Sequence, residues 1–306
     1  MISRPHFSGH ETFPLRYTWL KKGVDATTKD PGIFSAEDAL VQLGVGKNMV
    51  RAIRHWGLAT GVLEEEPGSR GRQIVPSAFG TAFLADDGWD PYLEDPASIW
   101  LIHWKLASTP GRATTWYWLF NQHPSPEFTV DSIVQALVRL ARENGWPKVT
   151  PSSLRRDVDC CVRTYYSGRK TARAVLEDTL DCPLNELRLI RPGLAKGTYI
   201  LSREARDTLP YQVFGYALHE YMQTRGAQTI PLDDLMFQPG SPGRVFGLDE
   251  NALTRLVELL SANVRSVTHD ETAGLKQVSL GSKFDATKLL GSMYGAFGAN
   301  PKRSVA

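Results

Sequence analysis

The segment HFSGHETFPLR, residues 6–16, puts a base, a carboxylate and a guanidinium within seven residues: His10, Glu11 and Arg16. An imidazole can take a proton or ligate a metal. A carboxylate can hold a divalent cation or orient a base, and a guanidinium can clamp an anion. Gly9 beside them lets backbone approach a ligand closely. The same side chains also suit a plainer use, with Glu11 and Arg16 as an ion pair tying the segment down and His10 hydrogen-bonded nearby. Two more carboxylates, Asp157 and Asp159, stand in RRDVDCC. Offsets of two do not share a helix face, so both reach one metal only if the helix breaks there; otherwise one pairs with a neighbouring arginine. Glu11, Asp157 and Asp159 are the metal-ligand candidates, for magnesium or manganese.

Two basic clusters complete the set. In LGVGKNMVRAIRHWG, residues 43–57, Lys47, Asn48, Arg51 and Arg54 fall on one broad helix face, opposite Met49, Ile53 and Trp56. Arginine can read guanine, asparagine can read adenine, and any of the cations can grip phosphate. Arg70 and Arg72 follow on a hairpin, with the run Glu64–Glu66 beside it opposing an anionic partner. A solvated face on a protein-binding module is the bland counterpart. The second cluster is Arg155, Arg156, Arg163, Arg169, Lys170 and Arg173, with Tyr165 and Tyr166 inside it as stacking surfaces for a single strand. Its bland counterpart is a solvated helix and loop. The Gly-Lys step at 46–47 is not a phosphate loop. Asn48 stands where Ser or Thr is needed, Val41 where the first glycine is needed, and the preceding segment reads as helix. No nucleotide cofactor is expected.

The elements that must position these residues follow from pattern. The chain has 306 residues, 42% apolar and 22% charged, an ordinary globular balance, and its net charge of +2 makes any basic footprint local. A helix is expected near 15–22. A helix from SAEDAL with Ser35 as cap, a Gly44/Gly46 turn, a second helix to Gly57, and strands at 60–66 and 72–76 make a winged helix-turn-helix. A short helix follows at 77–84. Residues 96–145 read as helices, clearest at 129–145, where Val130, Ile133, Val134, Leu137, Leu140 and Ala141 form one stripe. A helix from Thr150 and two strands around a Gly/Pro turn come next, then a helix at 210–224. PLDDLMF reads as helix, QPGSPGRVFG as turn, a helix runs from an Asp249 cap, and a hairpin has its tip at DETAG. The fold expected is α-rich α+β. It has an N-terminal arm (1–34), a winged-helix DNA-binding unit (35–95), a helical middle with a small hairpin (96–225) and a C-terminal lobe with a second winged-helix-like helix-plus-hairpin unit (226–306).

Three cysteines, Cys160, Cys161 and Cys182, are odd in number and lack CxxC spacing, which argues against zinc and disulfides and for reduced cytosolic thiols. The first residues have no apolar core for a signal peptide, and the most apolar run, SIWLIHWKLA, is too short to span a membrane. A cytoplasmic protein with no membrane partner is expected. His103 in that run reads as a hydrogen-bonded core histidine.

Seven stretches resemble one bacterial family: FSGHETFPLRYTWLKKG (7–23), LGVGKNMVRAIRHWG, WLIHWKLAS with ATTWYWLFN, DVDCCVRTYY, LEDTLDCPLNEL, SPGRVFGLDE and the DETAGLKQ hairpin. In order, they span about 7–295. The chain is similar to the SspB-like family, a former domain of unknown function found beside PAPS-reductase-like genes. It supplies the DNA-nicking component of single-strand DNA phosphorothioation (Ssp) anti-phage defence systems. The resemblance implies a nickase that cuts one strand so that partners, a cysteine desulfurase, an ATPase and an ATP-pyrophosphatase-like protein, exchange a phosphate oxygen for sulfur. It implies no catalytic set, and the signatures PD-(D/E)xK and HNH are missing. A non-enzymatic winged-helix DNA-binding regulator or targeting subunit is the alternative.

Overall fold

The computed structural model describes residues 2, 5–146, 149–168, 182–272 and 274–298. Among these, thirteen α-helices accompany three small antiparallel sheets, a helix-rich mixture of helix and sheet. Helix α1 (Tyr17–Lys29) is longer than the expected 15–22. The extension GVDATTK is a poor helix former; burial of Val24 and Thr27 holds it, with a local pair from Lys21 to Asp25 one turn on and a tertiary one from Lys21 to Asp86 at 2.7 Å. Helix α2 (Ala39–Leu43) is one short turn, and Ser35 is not its cap but closes a 3-10 turn before it. Helix α3 (Lys47–Ala59) buries Ile53 and Trp56 as its spacing requires. Strands β1 (Leu63–Glu65) and β2 (Ile74–Pro76) then form a hairpin, and α4 (Ala78–Leu84) follows from a Ser77 cap.

Helix α5 (Pro96–Ala107) is apolar all round and buried all round. It packs beside α6 (Thr114–Asn121). Next come β3 (Glu127–Thr129), α7 (Val130–Glu143) with a Thr129–Ser132 capping box, and α8 (Pro151–Tyr165) from a Thr150 cap. The hairpin β4 (Ile190–Pro192) and β5 (Thr198–Leu201) closes on β3 in the order β3-β5-β4. Helix α9 (Tyr211–Arg225) leads to β6 (Thr229–Pro231), α10 (Leu232–Phe237), α11 (Pro242–Phe246) and α12 (Glu250–Asn263), the last capped by Asp249. The hairpin β7 (Val267–Thr272) and β8 (Leu275–Leu280) pairs with β6 in the order β6-β8-β7, before α13 (Ala286–Gly298).

QPGSPGRVFG is therefore not all turn. Pro242 at a helix start and a Ser241 cap make a short helix there. One connection order recurs: a strand, helices, then a hairpin whose second strand pairs with the first strand. It runs from β3 to β5 and again from β6 to β8. Near the N-terminus α2, α3 and β1–β2 follow the same order, with a single Ile74 N–H to Pro31 carbonyl bond, 2.8 Å, in place of a strand. One continuous core reaches from Ile2 to Tyr294 through Trp56, Trp100, Trp104 and Trp116, while Ile33, Ala39, Leu43 and Val50 make a small separate cluster under α2.

Candidate functional site

The N-terminal arm has backbone that L-residues rarely adopt. Ser8, Glu11 and Thr12 sit at φ of 63°, 50° and 68°. Each such residue costs on the order of 1–3 kcal/mol and persists only where its surroundings hold it. Asp157 on α8 is the anchor. Its carboxylate, 1% exposed, accepts from His10 Nε2–H at 2.8 Å, from the Ser8 N–H and from the Thr115 hydroxyl of α6. The Thr12 N–H donates to His10 Nδ1 at 3.0 Å. His10 is thus the Nε2–H tautomer with both nitrogens engaged.

Two helices flank the clasp. On the α8 side, Arg163 donates to the Thr12 carbonyl at 2.6 Å. On the α3 side, Trp56 Nε1 donates to the Phe13 carbonyl at 3.1 Å, and Glu11 pairs with Arg51 at 3.4 Å. Gly9 crosses directly over His55 of α3, where a Cβ would lie 2.4 Å from His55 Nδ1 and 2.8 Å from His6 Nε2, so no other residue fits. Burial, then the neighbouring His10 and His6, pushes the His55 pKa well below its ordinary value. Its Nε2 has no partner among the described residues. Burial lowers the His6 pKa as well, with Arg112 adding to it.

Of the expected catalytic trio, His10 and Glu11 stay adjacent but face opposite ways, one buried and one half-exposed. The Arg16 guanidinium lies over Trp19, 5.3 Å from the ring centre. Asp157 and Asp159 share no site: Asp157 is consumed by the clasp, and among the described residues no three His, Cys, Asp or Glu side chains gather around a point. A magnesium or manganese ion held by protein ligands alone does not fit the residues as placed. Glu11 offers one carboxylate beside a cation.

Lys47, Asn48 and Arg51 are exposed at the start of α3, and Arg70 and Arg72 are exposed at the tip of the β1–β2 hairpin. Arg54 turns away from them. It is half-buried, donates to the Gly71 carbonyl at 3.2 Å and lies 3.5 Å from Glu65, which also takes Arg112 at 2.6 Å. Part of the acidic run thus fastens the hairpin to α3. On α8, Arg155 pairs with Asp131 and Arg156 is exposed without an ion pair to a described residue. Arg169, Lys170 and Arg173 lie outside the described residues. Tyr165 is buried with its hydroxyl 2.7 Å from His103 Nδ1, and Tyr166 packs on Tyr199, so Tyr165 offers no ring to a base. His103 is fully buried, with Nε2 donating to the Val245 carbonyl at 2.7 Å.

All three thiols are buried, and burial pushes their pKa values up, that of Cys182 to about 12. Such groups are not nucleophiles. The residues that sequence reading missed are Thr115, His55 and the acceptor role of Asp157. His10 and Asp157 are separated by 147 positions, and no local spacing marks such a pair.

The chain matches the family model described as "Protein of unknown function (DUF4007)" over residues 7–294. Two solved structures resemble it, an SspB crystal structure and a magnesium ion-bound SspB crystal structure, each 32% identical with a TM-score of 0.86. The likeness covers 98% of this chain and 92% and 91% of theirs. No curated protein matches it. A family model spanning nearly the whole chain, with full-length likeness to SspB at that identity, means that the chain belongs to the DUF4007 family and is SspB-like.

Proposed function

We propose that this protein engages DNA within a phosphorothioate-modification system and nicks one strand, with duplex laid across α3 and α8 and the clasped arm at the cut. The supporting observation is that strained residues 8–12 are fastened between the two helices that carry the exposed cations. Lys47, Asn48 and Arg51 would grip one stretch of backbone, Arg155 and Arg156 another, and Arg70 and Arg72 the flank. In this reading α3 takes the groove-facing role expected from sequence, and α8 supplies the second basic cluster. Arg54 serves by holding the hairpin in place.

In hydrolysis a water oxygen bonds to phosphorus while the bond to the ester oxygen breaks and that oxygen takes a proton. In this reading Glu11 orients or deprotonates the water, and Arg51 and Arg16 neutralise the phosphate. His10 holds the arm in register as a positioning residue. A magnesium or manganese ion, if one takes part, would share Glu11 with the DNA phosphates. The sulfur-transfer and ATPase components expected above are the partners of this reading, which places the protein in the cytosol. A non-enzymatic DNA-targeting subunit is the rival, and the closed bonding of His10 favours it.

Relaxation of supercoiled plasmid, with and without EDTA, separates the two. Glu11→Gln should lower the nicking rate by about 10² or more and leave the melting temperature unchanged. Absence of any nick by the wild type leaves the targeting role; full activity in Glu11→Gln removes the arm from the chemistry.

A further inference from the structure

A cleft of about 1230 Å³ opens between the C-terminal end of α3, the α5–α6 loop, the last turns of α9 and the start of α13. It exceeds the roughly 300–1,000 Å³ of pockets that enclose one small ligand, which points to an extended occupant. Its charges decide which. Two carboxylates line it. Glu220 accepts from Trp104 Nε1 at 2.7 Å, Lys105 Nζ at 2.6 Å and the Tyr216 hydroxyl at 2.7 Å, so its charge is consumed inside the wall. Asp285 is engaged with the start of α13, accepting from the Lys288 N–H at 2.9 Å. The two exposed cations at the mouth have no such duty. Arg225 and Lys283 form no ion pair with a described residue.

The walls are aromatic. The Arg225 guanidinium lies over Tyr221, 4.6 Å from the ring centre, and is exposed. Phe284 packs against His219 with ring centres 5.5 Å apart and planes tilted by 35°, and stays half-exposed. Uncompensated cations beside planar groups are what a single strand needs: phosphates on the cations, bases on the rings and on the arginine plane. A duplex presents its bases only edge-on and does not suit such a wall.

We infer that this cleft binds a single-stranded segment of DNA. The inference rests on the reading that the protein works on DNA, but not on its cutting DNA or on the α3–α8 face. The strand gripped here lies beyond the C-terminal end of α3, about 20 Å along the helix from Lys47. A strand unpaired by the protein at the arm would be held away from its complement.

Fluorescence anisotropy with a labelled oligothymidylate of about 10 nucleotides, within the usual single-strand site size, tests this. Arg225→Ala with Lys283→Ala should weaken binding about tenfold or more and flatten the log affinity–log salt slope by about 1.4, two phosphate contacts on a single strand. Both residues are exposed, so the fold is preserved. A second measurement uses the thiol introduced by Thr224→Cys at the mouth, which maleimide labels selectively because the native cysteines are buried. The oligonucleotide should slow that labelling, and a bulky label should block the oligonucleotide. Duplex affinity, measured in parallel, should be unmoved by the Arg225 and Lys283 changes. If the α3–α8 reading fails, Arg51→Ala and Arg156→Ala leave duplex binding intact while the single-strand result stands. Absence of single-strand binding, unchanged affinity and salt slope in the double variant, or equal competition by free thymidine monophosphate would each overturn the inference.

Discussion

His10 and Asp157 carry little of their value as isolated groups and much as a pair. The carboxylate satisfies an imidazole N–H, a hydroxyl and a backbone N–H in a buried place, and removing either partner strands the others. His10→Ala and Asp157→Ala are each expected to cost about 3–5 kcal/mol of folding free energy, read from denaturant midpoints. A loss under about 1 kcal/mol would show that the arm is held by other means. Acid should act through two other buried imidazoles, one beside the arm and one in the core. His55 and His103 are kept neutral by burial, with the His103 pKa pushed down to about 3. The unfolded chain binds their protons near 6.5 and the folded chain refuses them, so their contribution is complete above about pH 6.5 and fades as pH falls toward the folded values. Each histidine contributes about 1.4 kcal/mol per pH unit in that window. His103→Gln should therefore flatten the stability–pH slope below pH 6.5 by close to one proton, and an unchanged slope would mean that His103 already titrates normally. The sequence of RRDVDCC marked its carboxylates as groups of interest but not their partner. Burial of Asp157 follows from the facing of α8, whereas its pairing with an imidazole 147 positions away follows only from the packed fold.

Between residue and fold stand the elements, and the hairpin beside α3 shows how few bonds set one. Ser77 donates to the Gly61 carbonyl at 2.6 Å and accepts from the Gly80 N–H at 2.9 Å, so one hydroxyl fixes both the root of the hairpin and the start of α4. Ser77→Ala is expected to lower stability by about 1–2 kcal/mol, the upper part of the range for an N-cap. If the hairpin steers duplex, the same change should weaken duplex binding beyond what the folded fraction explains. Equal loss of both would leave the hairpin without a binding role. Strong local signals were readable at this scale. The stripe on α7, the Asp249 and Thr150 caps and the hairpin around DETAG lie where sequence pattern puts them. The three-residue strands β3 and β6 were not readable, because so short a strand has no period and exists only by pairing with a hairpin some 50–70 positions away. Helix α11 was hidden by Gly and Pro, which read as turn until the Ser241 cap is seen bonded. The face expected to hold Lys47 through Arg54 loses its last member because Glu65 draws Arg54 to the hairpin.

Across the whole molecule the expected segments share one core. Helix α5 is bonded to residues 226–306 through His103 to the Val245 carbonyl at 2.7 Å and Ser98 to the Tyr294 hydroxyl at 2.9 Å, and to the segment just before them through Trp104 and Lys105 to Glu220 and Trp100 to Thr208. Asn121 of α6 accepts from the Gly240 N–H at 2.8 Å. Gly215 lets α9 press on its neighbours so closely that a Cβ would lie 2.8 Å from Leu260 of α12 and from Leu289 of α13. Little surface is left along which the C-terminal part can open alone. All eight tryptophans fall within residues 1–146, so indole fluorescence reports the N-terminal half. A dye on the thiol from Leu275→Cys, at the exposed start of β8, reports the far end, with the buried native cysteines unlabelled. The two probes should give coincident denaturant transitions with one midpoint and one slope. An earlier transition at β8, with indole fluorescence still native, would mean that residues 226–306 fold apart from the rest. The contiguous core would then be a docked interface between two stable units.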